Sequence, residues 1–503
     1  MTQLFNPSLS RRAVLAGGAA VGALTVSGAW NRASAAPLLT LGSLTLDVNG
    51  KAAKVFAVKG PASEGVFAKE GDRLTGAVLN ASGTPAVMHW HGQLFAPPDQ
   101  DRARPGGGEL AAGLTDQVDF LLTPGTHWMH SHTLSEQQLL AAPLVTREAD
   151  AGDAQDVVVM LHDFSFRSPE EILACLGGSS AHGGHGMGGA MPGMAMPGMN
   201  HAGHGMGGGM PASPAAGQMS HGPHAVGGGG MGGGMMAHAN DVEYDAFLAN
   251  RGTLADPKVV RVEKGGRVRL RIINGGTATA FFISVPGLTP RCVAVDGAPC
   301  APLVAEAFPL AQGQRIDLLV DVPAVGGAFP VLAQVEASPR RTGLVLATAG
   351  ASVTRIAETA DRPQGLLDLD FEARLAAAKP LAPRKVDRVF QVMLGEEAGY
   401  RWTINARTYG EAQPFVVSTG ERVEMTFMNP TSMSHPMHLH GHHFQVVGID
   451  GRRFAGAIRD TVMVPPHMPV TIAFDAGPKG EWFLHCHHLY HMATGMMAMV
   501  KVD

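Results

Sequence analysis

Cysteine is scarce in this chain, with four residues in 503. Disulfides can contribute little, so a protein of this length must rest on buried apolar cores. Charge is sparse too: 16% of residues are charged, the formal net charge is −5, and there is no lysine or arginine run. That balance excludes nucleic acid as a partner, because a phosphate backbone calls for a basic face. Helical periodicity is nearly missing, which argues against an α-helical fold. Past the N-terminus no other apolar run is long enough to cross a membrane. Low charge density suits a compact secreted protein.

Short alternating runs take the place of helices. Residues 267–273 (RVRLRII), 423–427 and 470–474 alternate side chains between Gly, Pro and Asn, as strands of β-sandwiches do. The length suggests about three domains of ordinary size. At the start, Ser10, Arg11 and Arg12 precede an uncharged run over residues 13–29, and Ala33, Ser34 and Ala35 offer a small-residue cleavage site. This reads as a twin-arginine (Tat) signal peptide over residues 1–36 and implies a bacterial periplasmic protein. The run is too short and too weakly apolar for a span.

Histidine is unevenly placed. His89 and His91 lie in HWHG, His130 and His132 in HSH, and His435, His438 and His440 in HPMHLHG. Near the C-terminus His485, Cys486 and His487 are consecutive, followed by His491 and Met496. On a strand the side-chain period is two, so each HxH pair presents both imidazoles to one face. By the same rule Cys486 faces one way and His485 with His487 the other. Thiolate, imidazole and a distant thioether together suit a copper that cycles between Cu(I) and Cu(II). A single HxH is usually a pair of surface or core histidines, but four groups around one cysteine reverse that reading.

The constellation resembles the multicopper oxidases, whose four copper motifs are matched in order over residues 38–503. The resemblance implies an all-β fold of three cupredoxin-like Greek-key sandwiches at residues 38–146, 151–350 and 385–503. Residues 351–384 would be a linker, partly helical around 371–378. It further implies four copper ions. His435, Cys486, His491 and Met496 would hold type 1 copper, and His89 with His438 type 2. One type 3 copper would take His91, His130 and His487, and the other His132, His440 and His485. Electrons taken singly from a reductant would then reduce O2 to water. A family carboxylate that supplies protons falls at Gln100, and a one-residue loop shift makes Asp101 the donor. The acid often found after the second type 1 histidine is replaced by Met492.

Residues 177–240 form the second informative feature. This stretch inside the middle domain has no charged residue, eleven methionines and seven histidines. Gly-rich and nearly without aliphatic side chains, it cannot bury a core, and its thioethers and imidazoles favour extra copper. It points to Cu(I) as reductant, and the architecture then looks most like the bacterial copper-resistance and copper-efflux oxidases. Met433 matches a methionine that delivers Cu(I) in the efflux type, although the acidic residue two positions earlier is Thr431 here. A laccase-like oxidase of small phenols or other metal ions is the alternative within the enzymes. A periplasmic copper-sequestering protein is the alternative outside them. Cys292 and Cys300 flank a turn at Asp296 and Gly297 and could form a disulfide across a hairpin. Cys175 is left over, either buried or a ligand for soft metal.

Overall fold

The computed structural model describes residues 38–179 and 239–503, so residues 1–36 and most of the stretch at 177–240 lie outside the described residues. The three alternating runs are strands, Arg267–Asn274, Arg422–Met428 and Val470–Asp475. Six sheets are present among the described residues, and they pack in three successive pairs. In the first pair, one sheet runs Lys51–Lys59, Leu39–Val48, Arg73–Asn80, Thr115–Leu121, and the other Val66–Lys69, Ala141–Arg147, Gly125–Ser131, Met88–His91. Leu41, Val58, Leu74 and Phe120 from the former meet Trp90, Met129 and Leu144 from the latter in one core. Strand alternation supplies both inner faces.

A six-stranded and a five-stranded sheet make the second pair, and a seven-stranded and a five-stranded sheet the third. Their cores are continuous: Val159, Leu270 and Phe281 belong to the same buried cluster as Phe427, Phe444 and Leu484. Trp128 and Ala141 of the first pair pack on Met160 and Ile273 of the second. Within the stretch at 351–384 the helical part shrinks to one 3-10 turn, Glu372–Arg374. The following residues are extended instead, because Ala376, Ala377 and Ala378 pair with Pro299, Cys300 and Ala301 of a neighbouring hairpin. That hairpin turns at Asp296 and Gly297, with φ of 47° and 79°, the left-handed pair that a tight type I′ turn requires. Cys292 and Cys300 flank it as buried free thiols with Sγ atoms 3.7 Å apart. Cys175 is exposed on the helix Pro169–Ser179. Among the described residues no helix is long and apolar enough to cross a membrane.

Arg271 locks the first two pairs of sheets together. Its side chain is 0% exposed. The guanidinium donates to Asp156 Oδ1 at 2.8 Å, Glu148 Oε2 at 2.7 Å, Thr126 Oγ1 at 3.1 Å and Asp317 Oδ2 at 3.3 Å. Arg271→Met would remove the one fully buried cation that joins those carboxylates, leaving Glu148 and Asp317 to Arg269 and Asp156 to Arg147 at the edge of the network. A loss of about 3–5 kcal/mol is expected, read as a lower unfolding midpoint of the metal-free protein, and an unchanged midpoint would refute the locking role.

Candidate metal centre

The histidine groups arrive from strands that pair directly. Met88–His91 lies antiparallel to Gly125–Ser131 with His89 opposite His130, and His435–Leu439 lies antiparallel to Gly480–Cys486 with His438 opposite His485. His132, His440 and His487 each follow the end of one of these strands. The first and last pairs of sheets meet where these strands end, and eight imidazoles enclose one buried site. His89 stacks on His440 at 3.7 Å between ring centroids, and His91 on His438 at 3.8 Å. Gly92, which follows the first HxH, has φ of 83°, and a Cβ there would strike His127 and Arg315. Glycine is required at that point.

Hydrogen bonds to the outer ring nitrogens decide which inner nitrogens are bare. His89 Nδ1 faces Asp101 Oδ2 at 2.8 Å, and His438 Nδ1 faces the Asp460 carbonyl at 2.8 Å. A carbonyl can only accept, so His438 Nδ1 carries the proton, and His89 Nδ1 carries it whenever the Asp101 carboxyl is ionised. Their Nε2 atoms then point lone pair to lone pair across 3.3 Å. His440 Nδ1 donates to the Ala103 carbonyl and His485 Nδ1 to that of Cys486, leaving two bare Nε2 atoms 3.0 Å apart. His130 Nδ1 is held by Glu136 Oε2 at 3.0 Å and His91 Nε2 by Asp460 Oδ1 at 3.0 Å, so His91 Nδ1 and His130 Nε2 face each other at 3.4 Å. His132 Nε2 lies 3.2 Å from His485 Nε2. Both nitrogens of His487 are buried without a partner. Bare lone pairs at such distances repel, and metal ions between them turn repulsion into coordination.

Burial lowers the pKa of His89, His91, His440, His485 and His487 well below the ordinary imidazole value, and neighbouring imidazoles add to the effect. The rings are therefore neutral, as ligands must be. Burial raises the Asp101 carboxyl to about 7, although the Ala103 and Trp90 amides oppose it. Gln100 faces elsewhere: its Oε1 accepts the Asp119 amide at 2.6 Å.

A second donor set lies on the other side of the strand Gly480–Cys486. Cys486 Sγ is 3.7 Å from His435 Nδ1 and 3.7 Å from His491 Nδ1, which are 3.2 Å from each other. His435 Nε2 bonds Thr431 Oγ1 at 2.9 Å, and His491 Nε2 lies 3.5 Å from Asp241 Oδ2. Again the inner nitrogens are bare. All three residues are 0% exposed, as is Met496. Trp402 stacks on one face of His491 at 3.9 Å and His488 on the other at 3.7 Å. Met433 is buried, and its carbonyl accepts from Asn429.

Sequence reading missed the outer partners Asp460, Glu136 and Asp241, the covering rings Trp402 and His488, and Arg315. Asp460, Asp241, Trp402 and Arg315 reach their histidines only through the fold, whereas Glu136 lies six residues after His130 and His488 three before His491, where a turn brings each back onto its ring. The two donor sets, a thiol with imidazoles and imidazoles alone, fit copper.

Comparison with known proteins agrees. Residues 225–354 and 382–503 match the family described as multicopper oxidase. The chain is 27% identical to multicopper oxidase MmcO of Mycobacterium tuberculosis, over 86% of this chain and 79% of that protein. It is 24% identical to copper resistance protein A of Escherichia coli, over 92% of each. Among solved structures, Fet3p, a multicopper oxidase that functions in iron import, superposes with a TM-score of 0.69 at 17% identity, covering 92% of this chain and 90% of that one. The laccase from Botrytis aclada gives 0.70 at 20%, covering 92% and 86%. The fold is all-β and cupredoxin-like.

Because the lone pairs converge before any metal arrives, removing copper should loosen the fold. Stripping copper with a soft chelator under reducing conditions is expected to lower the calorimetric midpoint by roughly 10 °C. Equal midpoints with and without copper would mean that the imidazoles bind no ion.

Proposed function

The chain belongs to the multicopper oxidase family and is a copper-dependent oxidoreductase; on that premise we propose that its reductant is Cu(I). In the proposed reaction four Cu(I), one O2 and four protons give four Cu(II) and two water molecules. Copper tolerance follows as its role in a bacterial periplasm. His435, Cys486, His491 and Met496 would hold the type 1 copper, and His89 and His438 the type 2. His91, His130 and His487 would hold one type 3 copper, and His132, His440 and His485 the other. Copper supplies one-electron chemistry between Cu(I) and Cu(II) when bound there.

The protein's own residues do the rest. Cys486 joins the two sites, since its peptide bonds run directly into His485 and His487. Asp101 accepts the Nδ1–H of His89 when ionised, and with its carboxyl raised to about 7 it would take up a proton and then supply it. Trp402 and His488 keep water and bulky reductants off the faces of His491.

The cover over His491 is the observation that carries the Cu(I) reading. A phenol would have to reach the edge of a type 1 imidazole, yet both rings are buried. Asp241, 16% exposed and joined to His488, His491 and Tyr400, is the polar link from that ligand toward solvent. A cation needs only such a donor, not an open slot for a ring. The Met/His stretch at 177–240 leads directly into Asp241 in sequence, and with Met433 it would gather soft Cu(I) and hold extra copper.

Two measurements test the reading. Replacing residues 180–238 by a short Gly/Ser loop, or Asp241 by Asn, should lower kcat/KM for Cu(I) about tenfold or more while oxidation of a bulky phenol holds or rises. An oxygen electrode under limiting copper reads both. Unchanged Cu(I) kinetics in both variants, with phenol activity far above Cu(I) activity, would favour the laccase-like reading instead. Cys486→Ser should also remove the blue thiolate-to-copper band and end turnover. A blue, active Cys486→Ser protein would overturn the type 1 assignment.

A further inference from the structure

We infer that Asp460, held in place by Arg315 of the second pair of sheets, is a positioning residue that fixes opposite tautomers on His91 and His438, so that one binds copper through Nδ1 and the other through Nε2. The inference rests on the reading of these two histidines as ligands. The Asp460 carboxylate is 0% exposed. Arg315 Nη1 donates to its Oδ1 at 2.7 Å, Arg315 Nη2 donates to Oδ2, and Thr461 Oγ1 donates to Oδ1 at 2.9 Å. Paired with a guanidinium, it is an acceptor only. His91 Nε2, 3.0 Å away, must then be the protonated nitrogen, which leaves Nδ1 for metal.

The peptide carbonyl of the same residue does the converse. It accepts from His438 Nδ1 at 2.8 Å and leaves Nε2 bare. Thr461 Oγ1 touches both rings, at 3.4 Å from His91 Nε2 and 3.1 Å from His438 Nδ1, but its proton is committed to Asp460. One residue therefore sets two rings in opposite senses.

Arg315 is fixed just as firmly. Its side chain donates to the carbonyls of Thr126 at 3.1 Å, Gly313 at 3.0 Å and Asp296 at 3.2 Å, while its amide donates to Asp296 Oδ1 at 2.8 Å. Asp296 Oδ2 is 3.3 Å from Arg459, the residue before Asp460. The close approach of Gly92 Cα belongs to the same assembly, since a Cβ there would lie 2.7 Å from Arg315 Nη2 and 3.0 Å from Asp460 Oδ2. The second pair of sheets supplies no histidine to the cluster. Its contribution is the cation that orients Asp460.

The type 1 site in the same chain serves as an internal folding control, because none of its ligands touches Asp460. Asp460→Asn and Arg315→Lys should keep the blue band and the type 1 EPR signal. Copper per chain should fall, the type 2 EPR hyperfine pattern should change, and copper affinity of the cluster should drop about 10–100-fold, as loss of an outer partner typically does. Copper counting, EPR and competition with a chelator read these effects. Wild-type copper content, EPR and affinity in Asp460→Asn would overturn the inference, and so would loss of the blue band together with cooperative unfolding, which would make the residue merely structural. His91→Ala and His438→Ala separate the two levels. If these also keep full copper, the ligand reading itself has failed; if they lose copper while Asp460→Asn does not, only the tautomer inference has.

Discussion

Imidazole lone pairs aimed at one another inside a closed joint are the constraint on which this molecule is built. Neutral rings at 3.0 to 3.4 Å, with their outer nitrogens already committed to acceptors, have no proton to share between them. Such a cluster costs free energy unless cations occupy it. The cost is met by cores of apolar side chains on every side and by the fixed acceptors behind the rings. Folding and metal loading are thus linked: the strands that build the cluster come from both ends of the chain, and neither end can complete it alone.

Strand geometry converts that cluster into half of a circuit. Side chains alternate along Gly480–Cys486, so a thiol on one face is flanked by an imidazole on the other, and His487 continues the pattern just past the strand end. No loop intervenes between the two sites. The second pair of sheets, which carries no ligand, acts on the cluster through Arg315 and on the first pair through Arg271. Buried arginines paired with buried carboxylates do little for stability relative to apolar packing, but they impose direction and register. Direction is what a tautomer-sensitive cluster needs.

The converging histidines were legible in the sequence because they are local in the relevant sense: HWH, HSH and HCH place their imidazoles by strand period alone. The alternating runs at 267–273, 423–427 and 470–474 were legible for the same reason. The outer partners were not, since Asp460 reaches His91 across 369 positions and Asp241 reaches His488 across 247. Only the register that sets His438 against Thr461 brings Asp460 to the cluster. The choice between Gln100 and Asp101 depended on one 3-10 turn, Pro98–Gln100, which sends Gln100 to the neighbouring strand and Asp101 to His89. Helix in the stretch at 351–384 was overestimated because an alanine-rich segment with good helix propensity is held extended by the hairpin beside it.

The donor set proposed for type 1 copper differs from the cluster in how it is held, and the difference bears on the proposed electron transfer. Its loop is closed chiefly by backbone, with the Thr494 hydroxyl adding a bond to the Tyr490 carbonyl at 2.7 Å. The Cys486 amide donates to the Met496 carbonyl at 3.0 Å, and the Met496 amide to the His491 carbonyl at 2.9 Å, with the short helix Leu489–Ala493 between. The Leu489 amide in turn donates to the Thr277 carbonyl of the second pair of sheets at 2.8 Å. These bonds do not depend on the metal or on its oxidation state. Trp402 and His488 clamp His491 from both faces, so its ring cannot rotate away when charge changes. A ligand set that keeps one geometry in both oxidation states spends little energy on rearrangement as each electron passes, which is the condition under which a single strand can serve as the wire.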